Sequence, residues 1–377
     1  MNKTKTVAVG FDGFVDLLVK PVRQIQNGEK QFFSTIAEFG EYISSKAALS
    51  CSLDLHKISE QAGGNAPLFA QALSALGCGA DCICAAGYPE PLPMFRNLGE
   101  RVKILGVAEP GKTTALEFDD GKVMMACNGD LDGLDFETLK QRVGFNVLRT
   151  WLNNADAAAF LNWSELPGGT SIWKGLLEHI IPLMPPNNSR EKWLMLDISD
   201  CSRRAPEDIR EMAALIGRFN ERYKVVFSCN QNEFLILCNA LRIETAPAVS
   251  QERGADAFKR KTAASERKFT ALKRDTLAVE NNVVSLFKKI NAELLVLHLL
   301  DGAVYADGSA SVCVPAKRAD KPLVSTGGGD HFNAGLLWAL MNGFSYEKAV
   351  TAANTVSGLY VRNGKSPSEK EVRLTVL

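Results

Sequence analysis

Short apolar runs separated by longer amphipathic stretches constrain this chain more than any other feature. Val7–Gly10, Asp81–Ala86, Ala157–Leu161, Trp193–Leu196, Lys224–Phe227 and Leu294–Leu297 each have the length and character of an interior strand. Between them, Pro67–Leu76, Thr170–Ile181, Pro206–Phe219 and Asn232–Leu241 carry apolar residues at helical spacing. Strands alternating with helices belong in a mostly parallel sheet, because each parallel crossover needs a helix's length of chain and that helix covers a face of the sheet. The sequence therefore predicts a doubly wound α/β sandwich, and 377 residues suffice for one such domain with an appendage.

Two stretches break the rhythm. Val15–Ile58 separates the first strand from the first glycine motif, and Val102–Asn128 holds a hairpin pattern, Thr113–Phe118, Asp120-Gly121 and Val123–Ala126. These predict a small β lid built from parts of 11–62 and 98–130, able to cover a cleft or to serve as a dimer contact. A third stretch, 250–289, is charged and helix-favouring. Its basic clusters Lys259-Arg260-Lys261 and Arg267-Lys268 are interspersed with Glu252, Asp256, Glu266, Asp275 and Glu280, so it is expected to be a solvated helical insertion, not a nucleic-acid patch.

Charge and cysteine usage narrow the partners. With 43 basic residues balancing 43 acidic ones, no broad field favours nucleic acid or an anionic membrane. No apolar run approaches the roughly 18 residues of a membrane helix, and the amino-terminal run Thr6–Gly10 is too short for a signal-peptide core and reads as a strand. The 9 cysteines include no C-x-x-C pair, and His56, His179, His298 and His331 are scattered singly. A reduced, cytoplasmic protein without a zinc site is expected.

The chemistry concentrates in Val324-Ser325-Thr326-Gly327-Gly328-Gly329-Asp330-His331-Phe332-Asn333-Ala334-Gly335, which runs into the apolar Leu336–Leu340. This is a glycine turn opening a helix, where unpaired amides and the helix dipole form a site for a phosphate group. Asp330 in the same turn would repel that anion, so its charge needs a task. A substrate hydroxyl lying between the carboxylate and a terminal phosphate supplies one: Asp330 orients the hydroxyl and accepts its proton as the oxygen attacks. Taken alone, the glycines are also compatible with a plain turn and Asp330 with a favourable first-turn residue.

An earlier glycine turn, the first along the chain, Ala62-Gly63-Gly64-Asn65-Ala66-Pro67-Leu68-Phe69-Ala70, also precedes a helix; its glycines permit close approach of a ligand and Asn65 offers a donor and an acceptor to a polyol. It lacks the G-x-G-x-x-G spacing of a dinucleotide fold. Asp12 and Asp16, in Gly10-Phe11-Asp12-Gly13-Phe14-Val15-Asp16, leave the first strand, and a carboxylate there can accept hydrogen bonds from sugar hydroxyls, although Asp12 equally suits a turn. In Asn230-Gln231-Asn232-Glu233, the Asn-x-x-Glu spacing is also that of a helix cap.

In this order, these blocks resemble the ribokinase-like (PfkB-type) carbohydrate kinases. The run from Ser325 to Leu337 is similar to that family's G-A-G-D signature, with Gly328 in place of the alanine, and Ala62–Gly87 is similar to its amino-terminal signature. The resemblance spans about Val7 to Pro367. It implies ATP and Mg²⁺, a sugar-like substrate held between Asp16 (with Asp12) and Gly63-Gly64-Asn65, an anion hole at Gly327, Gly328 and Gly329, and Asp330 as catalytic base. It further implies nucleotide contacts at Asn230, Gly302 and Asn354, a water-mediated Mg²⁺ contact at Glu233, and a homodimer formed through the lid.

The sequence departs from the family in places. Val324 stands where the family commonly has an aspartate linked to monovalent-cation binding, which puts potassium activation in doubt. Leu68 replaces a frequent asparagine, and His298–Gly302 is shorter than the family's nucleotide loop. A nucleoside kinase of the same fold, using Phe11, Phe14 or Phe118 against a base, and a non-catalytic sugar- or nucleotide-binding regulator are the alternatives.

Overall fold

A computed structural model describes residues 4–185, 191–243, 280–308, 310–319, 322–324 and 326–376. Among these, the strands run β1 (Thr6–Phe11), β2 (Phe14–Gln26), β3 (Glu29–Phe32), β4 (Leu55–Gly63), β5 (Gly79–Cys84), β6 (Val102–Gly106), β7 (Gly111–Phe118), β8 (Gly121–Cys127), β9 (Ala157–Phe160), β10 (Trp193–Asp197), β11 (Lys224–Asn230), β12 (Leu294–Leu299), β13 (Gly302–Ala306) and β14 (Ser311–Pro315). A 9-stranded sheet has the order β14-β13-β12-β11-β10-β9-β1-β5-β6. Its pairs from β6 through β12 are parallel, and β13 and β14 close one edge antiparallel.

The apolar runs become interior strands because both faces of this sheet are covered. Along β9, Ala157 and Ala159 enter one core while Ala158 and Phe160 enter the other, the period of two that a pleated strand imposes. The Pro206–Asn220 helix shows how a covering helix is specified. Pro206 occupies its first turn beside Glu207 and Asp208, and Ile209, Met212, Ala213, Ile216 and Phe219 form its buried stripe. On the opposite face pack the Asn65–Ala75, Gly328–Met341 and Tyr346–Asn363 helices, through Phe69 and Leu73, Leu336 and Trp338, and Val350 and Val356.

The stretches that broke the rhythm form a separate 5-stranded sheet of β2, β3, β4, β7 and β8. β2 runs through its middle, antiparallel to β4 and parallel to β7, and β7 pairs with β8 as the expected hairpin. Val19, Phe33, Leu116 and Phe118 make a small core of their own under the Ile36–Ser45 helix, with Ile36, Phe39 and Tyr42 packed on it. Within 98–130, the segment Val102–Gly106 belongs to the main sheet as its edge strand β6. Residues 250–279 of the expected insertion lie outside the described residues; 280–290 form a helix.

Candidate active site

Polar residues gather at the carboxyl ends of the parallel strands, near the point where the strand order reverses about β1. Chain following β1 builds β5 and β6 on one side, then β9 to β12 on the other. Such a switch point is where open α/β sheets hold ligands. Asp12 follows β1, Asn162 follows β9, Asp197 ends β10 and Asn230 ends β11.

The first glycine turn is closed by the protein itself. No side chain within the turn caps the Asn65–Ala75 helix. Instead, Asp12 accepts from the amides of Asn65 and Ala66, each at 2.8 Å, and from Asn162 Nδ2 at 2.7 Å. Burial raises the Asp12 carboxyl to about 6 against these hydrogen bonds. Gly64 has φ +91°, and a Cβ there would lie 2.8 Å from Gly13 Cα and 2.9 Å from Asp12 Oδ2, so only glycine admits the approach. Of the two readings open to Asp12, these contacts match the turn role: the carboxylate anchors this helix start. Asp16 differs: its carboxylate lies over Gly63, where a Cβ would come within 2.1 Å of Oδ2, and burial raises its pKa.

The second glycine turn is left open. Gly327 takes the left-handed φ of +82° as the cap residue of the Gly328–Met341 helix, and no side chain caps that helix. Among the described residues, the Gly328 and Gly329 amides find no acceptor. Asp330 follows them in the first turn. Burial, then the charges of Asp197 and Asp12, push its carboxyl well above the usual carboxylate range.

Gly328 and Gly329 line a cavity of ≈ 680 Å³ that also meets Asn230, His298, Lys317, Arg318, Val324, Asn354 and Ser357. Its size and its open amides at one end fit a nucleoside triphosphate. Asn230 and Asn354, both expected as nucleotide contacts, line this cavity. Gly302 does not: it pairs with Leu299 in the turn between β12 and β13, with Val314 O 2.6 Å from where its Cβ would be. Asn230 and Glu233 form a capping box, the amide of Asn230 donating to Glu233 Oε2 at 2.8 Å and the Glu233 amide to Asn230 Oδ1 at 3.0 Å. Their side chains engage each other, so any contact of Glu233 with a metal ion would run through water, as the resemblance implied. Burial and the Asp197 charge raise Glu233 to about 8.

Sequence reasoning missed the group that joins the two turns. Asn65 Nδ2 donates to Ser199 Oγ at 2.8 Å, the Ser199 amide donates to Asp197 Oδ1 at 2.9 Å, and Asn333 Nδ2 donates to Asp197 Oδ2 at 2.7 Å. This chain ties the first helix start to the helix of Asp330 through a buried carboxylate. A carboxylate ending a predicted parallel strand was the available signal. Phe11 and Phe14 are buried in the main core and Phe118 in that of the second sheet, so none of the three is free to face a nucleoside base.

A ketohexokinase of Haloferax volcanii is 28% identical over 372 residues, covering 97% of this chain and 89% of that protein. A ribokinase from Cryptococcus neoformans in complex with ADP superposes with a TM-score of 0.62 at 16% identity, over 99% of both chains. A nucleoside kinase from Methanocaldococcus jannaschii, described as an archaeal member of the ribokinase family, gives 0.60 at 13% identity over 100% of this chain and 99% of its own. The likeness to both solved structures establishes the ribokinase-like fold, which serves more than one acceptor. The family described as prokaryotic ketohexokinase matches residues 2–261 and 257–377, so the chain belongs to that family of carbohydrate kinases.

Proposed function

We propose that this protein transfers the γ-phosphoryl group of ATP to a hydroxyl of a ketohexose, with Asp330 as general base. One observation carries the reading. Asp330 stands in the first turn of a helix whose unpartnered glycine amides open onto the nucleotide-sized cavity. A phosphate chain held by Gly327, Gly328 and Gly329 brings its terminal group beside Asp330, and a sugar held by Asp16, Gly63, Gly64 and Asn65 presents a hydroxyl from the other side. Asp330 orients that hydroxyl and takes its proton late, as the new phosphorus–oxygen bond makes it acidic. The open amides stabilise charge on the transferring group. The ketohexose acceptor is supported by family membership and by the name of the Haloferax relative.

Mg²⁺, when bound with the nucleotide, neutralises phosphate charge while keeping much of its water. Glu233 and Asn230, engaged with one another, fit only a water-mediated contact to it. Val324 brings no carboxylate to the turn for a monovalent cation. The free thiols of all the cysteines support a reduced, cytoplasmic setting. Exposed Leu55, Ile58, Met124 and Met125 on β4 and β8 support a homodimer through the second sheet, which sedimentation of the protein against a Met125→Lys variant checks.

The deciding experiment is ATP turnover with Mg²⁺ across ketohexoses, aldoses, sugar acids and nucleosides. Ketohexoses should turn over fastest. A nucleoside or aldose as the best acceptor would sink the proposed substrate class, and no turnover with any of them would sink the kinase reading.

A further inference from the structure

The Tyr346–Asn363 helix passes between two cavities and turns a different face to each. Asn354, Ser357, Gly358 and Val361, at helical spacing, line the nucleotide cavity. Tyr360 instead lines a second cavity of ≈ 740 Å³ together with Gln61, Ala62 and Leu68. Gln61 is the cross-strand partner of Asp16, so the two side chains leave the second sheet on the same face. Tyr360 therefore stands on the side from which the acceptor approaches.

Its position at the glycine turn is close and fixed. A Cβ on Gly327 would lie 3.0 Å from the Tyr360 hydroxyl. Burial raises the phenol's pKa, and the charges of Asp330 and then Asp16 add to it. The ring stacks on His331 with centroids 3.5 Å apart and planes 10° from parallel. His331 is itself tied down, with Nδ1 2.8 Å from Gly327 O and Nε2 2.8 Å from Ser366 Oγ. The carbonyl can only accept, so Nδ1 carries the proton and Nε2 accepts from Ser366. Burial keeps this imidazole neutral by lowering its pKa to about 4. Among the described residues the Tyr360 hydroxyl has no hydrogen-bond partner, which leaves it available to a ligand.

We propose that Tyr360 is a residue of the acceptor site, its hydroxyl donating a hydrogen bond to a sugar hydroxyl next to the reacting one, with His331 as the positioning residue that holds the ring in place. This rests on the kinase reading of the preceding subsection. It assigns to Tyr360 a part in choosing and aligning the sugar and none in holding the nucleotide. A tyrosine fixed by stacking loses little further freedom on binding, so its hydrogen bond discriminates between acceptors that carry a hydroxyl at that position and those that do not.

Tyr360→Phe keeps the ring and removes only the hydroxyl. With the best ketohexose, kcat/KM for the sugar should fall roughly five- to twentyfold, the range of one hydrogen bond to a neutral or partly charged partner, while KM for ATP stays within about twofold. A deoxy-sugar lacking the contacted hydroxyl should give the parent and Tyr360→Phe proteins equal kcat/KM. His331→Asn keeps a donor for Gly327 O but removes the ring under Tyr360, and should raise KM for the sugar without raising KM for ATP.

An unchanged sugar kcat/KM in Tyr360→Phe would overturn the inference while leaving the kinase reading intact. So would a rise in KM for ATP as large as that for the sugar. A parent protein that phosphorylates no sugar would overturn both, so the two failures are distinguishable.

Discussion

Two helices in this molecule begin with the same sequence device, glycines leading into an apolar run, and use it in opposite ways. At Gly63-Gly64 the first amides of the helix are taken by Asp12, a carboxylate supplied from the end of β1. At Gly327–Gly329 no side chain closes the turn, and the carboxylate present, Asp330, follows the open amides in the helix instead of capping them. The first start is filled from within and holds the architecture. The second has no such partner among the described residues, and it carries a buried carboxylate whose charged form burial disfavours. A glycine-led helix start thus indicates where an anion will sit, and not whether that anion is a side chain or a ligand.

Exchanging the carboxylates for amides separates the two starts most sharply. Asp330→Asn should lower kcat by roughly two to four orders of magnitude, the range for a lost general base. Its thermal unfolding should change little, since a buried charge is removed. Equal rates in variant and parent would remove Asp330 from the mechanism. Asp12→Asn should act the other way, costing about 2–4 kcal/mol of stability because a multiply hydrogen-bonded buried carboxylate is replaced by a group with one acceptor. Urea unfolding measures it, and a variant as stable as the parent would break the contrast.

Smaller effects sharpen the same comparison. Gly64→Ala should destabilise more than Gly327→Ala, because the new Cβ at Gly64 meets backbone at 2.8 Å, whereas at Gly327 it meets the Tyr360 hydroxyl at 3.0 Å and Leu68 at 3.2 Å. The left-handed conformation alone costs an alanine about 1–2 kcal/mol at either position. Gly327→Ala should instead show its main effect on turnover.

The pH dependences should also diverge. Asp330 must be ionised to act as base, so kcat/KM should fall as pH drops through its raised pKa. For stability, Asp12 has its pKa raised from 3.8 to about 6, so its contribution is full below 3.8 and is lost as pH rises through about 6. The melting temperature should decline over that window in the parent and more gently in Asp12→Asn.

Much of this was legible in the chain. The interior strands, the covering helices and the hairpin at Thr113–Ala126 could be read because burial on one or both faces writes a periodicity that few other arrangements share. The glycines before Asp330 could be read because the turn needs them. Asp12 stayed between two readings because a carboxylate after a strand looks the same whether it faces a sugar or a helix start 53 residues away along the chain. Glu233 was left between two readings, since the Asn-x-x-Glu spacing describes both a capping box and a metal-side motif. Asp197 gave only the weak signal of a carboxylate at a strand end, and Asn333 gave none, because the partners that join them to Asn65 lie on other elements.

The sequence by itself determined the α/β layering, the presence of a second small sheet and the open glycine turn that carries Asp330. Only the tertiary structure decided which carboxylate closes a helix start and which leaves its turn open, and which residues of the last long helix line each of the two cavities. Periodicity and turn chemistry depend on neighbours within a few residues, whereas the assignment of a polar side chain depends on which distant donors and acceptors the sheet brings within hydrogen-bond range.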